Sequence, residues 1–358
     1  MRIAINGLAC CRTMTGIGRT TLNTLRALLR LDGEDEFLLF LPKDAPRELG
    51  LSAENLRVVR TGVSLAEPIR SVLFEEFTLP RLLRGAHVDL YFAPSYLLPA
   101  FPGARAEVIC VHDLAWRLYP RSKSAAFKAY MNTRLPAALK RARRIVCVSR
   151  ATARDLQAHY PLADGGRLRV VHNGVDLDVF HPDPSEPEGD QPFIAVVGNQ
   201  DPRKNVGALL DAFPIFRARL RPHRLVLVGP GVPPPTRTRA VDFVGYLEEN
   251  ELATLYRRAH MVVQPSLYEG FGLPVLEAMA CGTPVACADI PVFHEVAEEC
   301  GQYFDPRNAA SIADAMEELA GDDALREERA RRGIERARGL SWDETARKLL
   351  AVFREAVA

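Results

Sequence analysis

The sequence predicts an α/β protein of two doubly wound domains, each a parallel sheet with helices on both faces. Three observations carry that expectation. Strand-like apolar runs alternate with helical patterns along almost the whole chain, the order that a parallel sheet covered by crossover helices produces. The alternation breaks in the Asp-, Pro-, Glu- and Gly-rich stretch HPDPSEPEGDQP, within residues 176–192, and then starts again. The length of 358 residues exceeds one ordinary domain and suits two of roughly 150 residues each.

The first domain opens with the strand RIAIN at residues 2–6, followed over residues 16–30 by Leu22, Leu25, Leu28 and Leu29 at the period of an amphipathic helix. Residues 37–41, 89–93, 107–111, 144–148 and 169–171 read as further strands, with helical patterns at 122–140 and 149–159 between them. Beyond the linker, FIAVVG at 193–198 restarts the order, and residues 224–228, 242–244, 261–264 and 284–288 supply the strands of the second domain. We therefore expect one domain over residues 1–182 and another over 190–341. The helical pattern of residues 342–358, with Ala346, Leu349, Leu350, Val352 and Phe353, either closes the second domain or packs back on the first. Sheets of this kind bind ligands at the carboxyl ends of their strands, so a cleft between two of them is the expected site.

An apolar content of 47%, a charged content of 25% and a net charge of +1 are those of a globular protein with no global attraction for nucleic acid. The seven cysteines, Cys10, Cys11, Cys110, Cys147, Cys281, Cys287 and Cys300, form no C-x-x-C and mostly lie in apolar runs, which reads as buried thiols in a reducing compartment. The chain runs from Met1 directly into a strand, and no apolar run approaches the ~18 residues of a membrane span. A cytoplasmic protein is expected.

The most informative stretch is PSLYEGFGLPVLEAMACGTP at residues 265–284. A strand ends near Gln264, a loop carries Gly270 and Gly272, Pro274 suits a first helical turn and Gly282 the position past a helix end. The amides of Gly270, Phe271, Gly272 and Leu273 then lie at a helix N-terminus, where dipole and hydrogen bonds stabilise an anion such as a diphosphate. Glu269 precedes the helix and Glu277 falls in its first turn; two carboxylates beside an anion are tolerable when hydroxyl donors occupy them, as a sugar would. A purely structural helix with solvated glutamates fits the same residues. In GNQDPRKN, following the FIAVVG strand, Gly198 ends the strand, Arg203 offers a planar fork and Lys204 a point charge, together able to neutralise a departing diphosphate. A solvated basic turn is the alternative.

Two weaker signals lie in the first half. Gly16-Ile17-Gly18-Arg19 follows a long first loop but has Thr21 where a dinucleotide fingerprint needs its third glycine, so it is a poor nucleotide signature; its glycines allow close backbone approach. In VHDL at residues 111–114, His112 and Asp113 sit at the carboxyl end of a strand, although a lone histidine is usually structural. Asp176-Leu177-Asp178 has the form of a metal-binding D-x-D, yet Arg203, Lys204 and a helix terminus already offer positive charge, so no metal and no cofactor are expected. Residues 121–150 contain Arg121, Lys123, Lys128, Arg134, Lys140, Arg141, Arg143, Arg144 and Arg150 with a single acid-free stretch up to Arg150. They read either as a solvated helix face or as a surface for an anionic membrane or a lipid-phosphate acceptor.

The 265–284 segment resembles the E-x7-E signature of retaining glycosyltransferases of family 4, which have the GT-B fold of two Rossmann-like domains, and the resemblance extends over nearly the whole chain. It implies a donor-binding second domain and an acceptor-side first domain. It implies that Glu277 binds the ribose hydroxyls, that Glu269 holds hydroxyls of the transferred sugar, and that the amides of Phe271, Gly272 and Leu273 meet sugar and phosphate. PRKN at 202–205 is similar to the family's phosphate-binding pair, Gly16 and Gly18 to its glycine loop near the donor phosphates, and His112 to a histidine contacting the donor sugar. PRKN and VHDL look most like the bacterial mannosyltransferase branch. The function implied is retaining transfer of a hexose, favoured as mannose from GDP-mannose with UDP-sugars open, in cell-surface polysaccharide or glycoconjugate synthesis. The acceptor is a sugar, a lipid-linked sugar or a small molecule, with peripheral contact at the inner face of the plasma membrane as a further expectation. A UDP-sugar epimerase of the same fold and an inactive nucleotide-sugar-binding protein are the competing readings. The acceptor loops, residues 61–70 and 94–103, carry no legible signature.

Overall fold

The computed structural model describes residues 1–10, 16–31, 33–47, 49–64, 66–120, 123–163, 165–186, 191–198, 201–220, 223–231 and 239–358. Cys11, Arg121, Ser122, Asn199, Gln200 and linker residues 187–190 therefore lie outside the described residues. In chain order the elements are β1 Arg2–Asn6, α1 Gly16–Leu31, β2 Glu36–Leu41, β3 Leu56–Arg60, α2 Pro68–Leu73, a π-helical turn Phe74–Thr78, α3 Leu79–Gly85, β4 Leu90–Ala93, β5 Ala106–Val111, α4 Ala115–Leu118, α5 Ala125–Arg141, β6 Arg144–Cys147, α6 Arg150–His159 and β7 Leu168–Val170. There follow β8 Phe193–Val197, a 3₁₀ turn Pro202–Lys204, α7 Val206–Arg219, β9 Arg224–Val228, β10 Val241–Gly245, α8 Glu249–Arg258, β11 Met261–Gln264, α9 Leu273–Ala280, β12 Val285–Ala288, α10 Pro291–Ala297, β13 Gly301–Phe304, α11 Ala309–Gly321, α12 Asp323–Arg338 and α13 Trp342–Val357.

Two compact units result. The first comprises Met1–Leu114, Ser124–Gly174 and Trp342–Ala358; the second comprises Ala115–Lys123 and Val175–Ser341. Each has one sheet, parallel in every pairing, of order β3-β2-β1-β4-β5-β6-β7 in the first unit and β10-β9-β8-β11-β12-β13 in the second. In both, the strand order reverses beside the unit's first strand, between β1 and β4 and between β8 and β11. Those reversal points are where doubly wound sheets open a crevice for ligands. The central strands are apolar on both faces, with Ile3, Ala4, Leu39, Val108, Ile145, Ile194, Val262 and Ala286 fully buried, as a sheet covered on both sides requires.

The predicted strands all appear within one or two residues of their expected ends, and the additional elements include two strands and one helical stretch. The edge strands β3 and β13 escaped because neither is a continuous apolar run: β3 carries exposed Arg57, Val58 and Arg60, and β13 is the short segment GQYF. The helical stretch is that of α2, the π-turn and α3. Pro80 lacks the N–H that would continue helical bonding to the Glu76 carbonyl, and just before it the chain widens so that Leu79 N donates to Phe74 O, five residues back.

The units divide differently from the expected ranges. Residues 175–182 join the second unit, where Val175 N donates to Leu340 O at 2.9 Å and Val175 bridges Ser341. Residues 115–123 join it as well. Helix α13 belongs to the first unit: Phe353, fully buried, lies 5.2 Å from the Phe92 ring, and Thr345 Oγ1 donates to His172 O at 2.8 Å.

The basic stretch before Arg150 finds its acids elsewhere in the first unit. Arg134 Nη2 reaches both oxygens of Glu76 at 2.5 and 2.7 Å, Arg141 donates to the buried Glu107 at 2.6 Å, and Arg144 reaches Glu355 at 3.1 Å. Lys123, Lys140, Arg143 and Arg150 stay exposed. Cys10, Cys110, Cys147, Cys281, Cys287 and Cys300 are all buried, and burial pushes the Cys110 and Cys281 thiols up to about 12. No helix among the described residues is long and apolar enough to cross a membrane.

Candidate active site

In the second unit the site is built where β11 ends and α9 begins. Gly272 is the N-cap of α9 at φ +102°, a conformation open to glycine and strained for side chains. A Cβ there would lie 2.7 Å from Cε1 of Phe293, so the position also needs the missing side chain. Pro274 occupies the first turn, as predicted. At the other end Gly282, at φ +79°, donates to Met279 O at 3.0 Å while Thr283 N donates to Ala278 O at 2.9 Å, the paired bonds of a Schellman stop. Both helix ends are thereby fixed by glycines read from the sequence.

The loop ahead of α9 is tied to the 3₁₀ turn after β8. Leu267 N donates to Arg203 O at 2.7 Å, and Asn205, in a left-handed conformation at φ +57°, spans the carbonyls of Pro265 and Pro306 at 3.1 and 2.7 Å. The α4 region adds a brace that sequence reasoning missed: Tyr119 stacks on Tyr268 at 5.6 Å and its hydroxyl donates to Leu267 O at 3.0 Å. An isolated tyrosine far along the chain carries no signal of that contact.

These ties bring three of the expected residues together. Glu269 is 8% exposed, and each carboxylate oxygen meets a cation: Arg203 donates to Oε2 at 2.8 Å and Lys204 to Oε1 at 2.5 Å. Ser266 Oγ donates to the same Oε1 at 2.8 Å and is itself held by Gln264 Nε2 at 3.0 Å. Burial alone would raise the Glu269 carboxyl, but the charges of Lys204 and Arg203, with the hydrogen bonds from Lys204 and Ser266, outweigh it and hold the group at about 2. Arg203 also donates to Tyr268 O at 3.1 Å and lies 3.4 Å from Asp201. Gly198 leaves room for the Lys204 stem, whose Cδ would be 3.4 Å from a Cβ there.

The basic pair is therefore no solvated turn, and it is not an independent anion site either, since it shares its charge with Glu269. A carboxylate fixed in the ionised state, with lone pairs left over, accepts hydroxyl donors; two adjacent cations above a helix N-terminus attract an anion. Gly270, Phe271 and Leu273 lie in or beside this loop and helix start. Glu277 is placed by the helix itself. It falls in the second turn of α9 instead of the first, is 4% exposed, and accepts a hydrogen bond from Tyr256 Oη at 3.1 Å.

In the first unit, Gly16 and Gly18 form the opening turn of α1, and a Cβ at Gly16 would meet open space. His112 follows β5 directly. Its Nε2 lies 2.6 Å from Pro94 O, and since a carbonyl only accepts, Nε2 carries the proton and Nδ1 is the acceptor. Burial lowers its pKa, against the opposing pull of the Pro94 carbonyl and Asp113, so the ring is neutral at pH 7. Tyr96 meets it edge-on at 5.8 Å. Asp176, of the D-x-D form, accepts from Asp178 N at 3.0 Å, a local turn bond.

Comparison with known proteins bears on this arrangement. Residues 14–179 match the family description Glycosyltransferase Family 4, and residues 180–338 match Glycosyl transferases group 1. The chain is 28% identical to O-antigen chain mannosyltransferase B of Escherichia coli, over 95% of this chain and 96% of that one. It is 26% identical to the O-antigen chain mannosyltransferase RfbU of Salmonella typhimurium, over 85% and 87%. Among solved structures, sucrose-phosphate synthase from Thermosynechococcus elongatus superposes with a TM-score of 0.76 at 22% identity, over 99% of this chain and 98% of that one. WaaG, a glycosyltransferase involved in lipopolysaccharide biosynthesis, superposes with a TM-score of 0.72 at 14% identity, over 99% of each chain.

Proposed function

The chain belongs to glycosyltransferase family 4, with the GT-B fold, and from that membership we propose that it is a retaining hexosyltransferase taking mannose from GDP-mannose to an acceptor hydroxyl in cell-surface polysaccharide or glycoconjugate synthesis. The observation that carries the reading is the Glu269, Arg203, Lys204 cluster at the head of α9. Mannose as the transferred sugar is supported by the two O-antigen mannosyltransferases aligned over most of the chain.

In this reading the diphosphate lies on the amides leading into α9, those of Phe271, Gly272 and Leu273, and shares Arg203 and Lys204 with Glu269. As the sugar–phosphate bond breaks, negative charge grows on the nucleotide, and the two cations stabilise it without reorganising. Glu269, ionised throughout the neutral range, grips hydroxyls of the sugar while its anomeric carbon becomes oxocarbenium-like. Within the first unit, neutral His112 keeps Nδ1 as an acceptor, in the residue that the family resemblance assigns to the donor sugar. Glu277 takes the ribose hydroxyls, which requires its Tyr256 bond to be shared. With charge stabilisation assigned to side chains, turnover should survive EDTA; loss of turnover on chelation with recovery on Mg²⁺ would sink that part.

The decisive experiment is thermal melting with GDP and UDP, followed by incubation with GDP-mannose and assay of free nucleotide and product anomer. A ligand at a hundred times its Kd stabilises by about 2.7 kcal/mol, a shift of several degrees. GDP is expected to raise the melting temperature and GDP-mannose to give an α-linked product. A shift with UDP alone overturns the donor, a β-linked product overturns retention, and no shift with either nucleotide overturns the whole reading. We also place the enzyme in the cytoplasm, in contact with the inner membrane face, supported by exposed Lys123, Lys140, Arg143 and Arg150. Failure to float with anionic liposomes would contradict that placement.

A further inference from the structure

The first unit contains a carboxyl group for which the donor reaction has no use. Glu75 sits on the π-helical turn Phe74–Thr78, between α2 and α3, where the widened backbone turns two successive glutamates toward the body of the unit. Glu76 is fully engaged, with Arg134 Nη2 donating to both of its oxygens and Ala100 N to Oε2. Glu75 is not. Its one recorded hydrogen bond among the described residues is a long one, 3.4 Å, from Asn6 Nδ2. That amide is the last residue of β1, donates also to Tyr91 Oη of β4 at 3.0 Å, and accepts from Leu8 N at 3.0 Å. Glu75 thus lies over the carboxyl end of β1 beside β4, the reversal point of this sheet.

The Glu75 side chain is half-buried among polar groups. Asn6 meets it from β1, and Tyr91 of β4, Glu76 of its own turn and Tyr130 of α5 lie within electrostatic reach, Tyr130 being hydrogen-bonded to the Arg134 that Glu76 holds. Burial, with a smaller push from Glu76, raises the Glu75 carboxyl to about 7 in spite of the Asn6 bond. Because the folded value lies above the ordinary 4.5, the folded state loses stability as pH rises from about 4.5 through 7. A side chain that weakens the fold at neutral pH and has no cation beside it among the described residues is characteristic of a binding position. A half-protonated carboxyl is a poor cation ligand, but it both donates to and accepts from neutral hydroxyls.

We propose that Glu75 anchors the acceptor by holding neighbouring hydroxyls of a pyranoside over the carboxyl ends of β1 and β4, with Asn6, itself bonded to Tyr91, positioning the carboxyl. The assignment rests on the reading of the chain as a sugar transferase, with the donor held by the second unit.

The test is ligand-detected saturation-transfer NMR on the full chain with the methyl α-pyranosides of mannose, glucose and galactose, in wild type and in the Glu75→Ala and Glu75→Gln variants. At least one pyranoside should bind the wild type, about tenfold more weakly to Glu75→Ala, and with an intermediate loss to Glu75→Gln, which keeps one acceptor oxygen. Absence of binding to the wild type, or equal binding by all three proteins, overturns the proposal. Calorimetry in which the first unit's transition is retained in both variants shows that they fold. If neither GDP nor UDP shifts the wild type, the donor reading fails, while the pyranoside result still decides Glu75 as a sugar site.

Discussion

At the scale of single residues, Glu269 is the group on which both the chemistry and the local fold depend. Its folded value of about 2 lies below the ordinary 4.5, so its ionised form stabilises the protein above pH 4.5, and that contribution is lost as pH falls toward 2. Replacing it by Gln leaves Arg203 and Lys204 partly buried beside a neutral amide. Urea unfolding should show Glu269→Gln destabilised by about 3 kcal/mol at pH 7, with the gap to wild type narrowing below pH 4.5. An unchanged midpoint at pH 7 would mean that solvent, rather than Glu269, satisfies the two cations. The residue types of this site were legible in the sequence because PRKN and the E-x7-E segment are short and local. Their mutual pairing was not, since nothing in either segment shows that Arg203 and Lys204, some 65 residues before Glu269, spend their charge on it. Glu75 was invisible for a related reason: its environment is assembled from β1, β4 and α5, and a glutamate in FEEFT reads as a solvated helix residue.

At the scale of elements, α9 shows how much a helix depends on its ends. It has eight residues, too short to persist on propensity alone, and is fixed by Gly272 before it, the Gly282 stop after it and buried Val275, Leu276 and Met279 along it. Gly272→Ala meets two penalties at once, a positive φ and a Cβ 2.7 Å from the buried Phe293 ring. Together they should cost about 2 to 3 kcal/mol and displace the amides assigned to the diphosphate, abolishing the GDP-induced melting shift. Adding Phe293→Leu relieves the ring contact but not the backbone, so the double variant should recover part of the stability. Full recovery would show that φ is irrelevant; no recovery, that the ring is. Buried elements were the readable ones. Strands such as Met261–Gln264 are apolar on both faces and announce themselves, whereas β3, with exposed Arg57, Val58 and Arg60, and β13, at the opposite kind of edge, are fixed by pairing with β2 and β12 and carry little periodicity of their own.

At the scale of the whole molecule, the chain is not divided once but four times, at residues 114/115, 123/124, 174/175 and 341/342, so neither unit is a continuous segment. The consequence is sharpest for α13. Its Trp342, Ala346, Leu349, Leu350 and Phe353 are buried in the first unit, and its polar side adds Asp343 on Arg30 at 2.7 Å and Glu355 on Arg169 at 2.7 Å. Burying a large apolar side chain contributes about 1.5 to 3 kcal/mol, and five or so of them rival the net stability of an average domain. Deleting residues 342–358 should therefore unfold the first unit while sparing the second, which contains every residue assigned to the nucleotide except Gly16 and Gly18. Calorimetry of the truncated chain should show the first unit's transition lost and a single remaining transition that GDP still raises. Two transitions of normal enthalpy would mean that α13 is dispensable to the first unit. Loss of both would mean that the second unit cannot stand without the first, and that the four crossings bind the two into one cooperative fold.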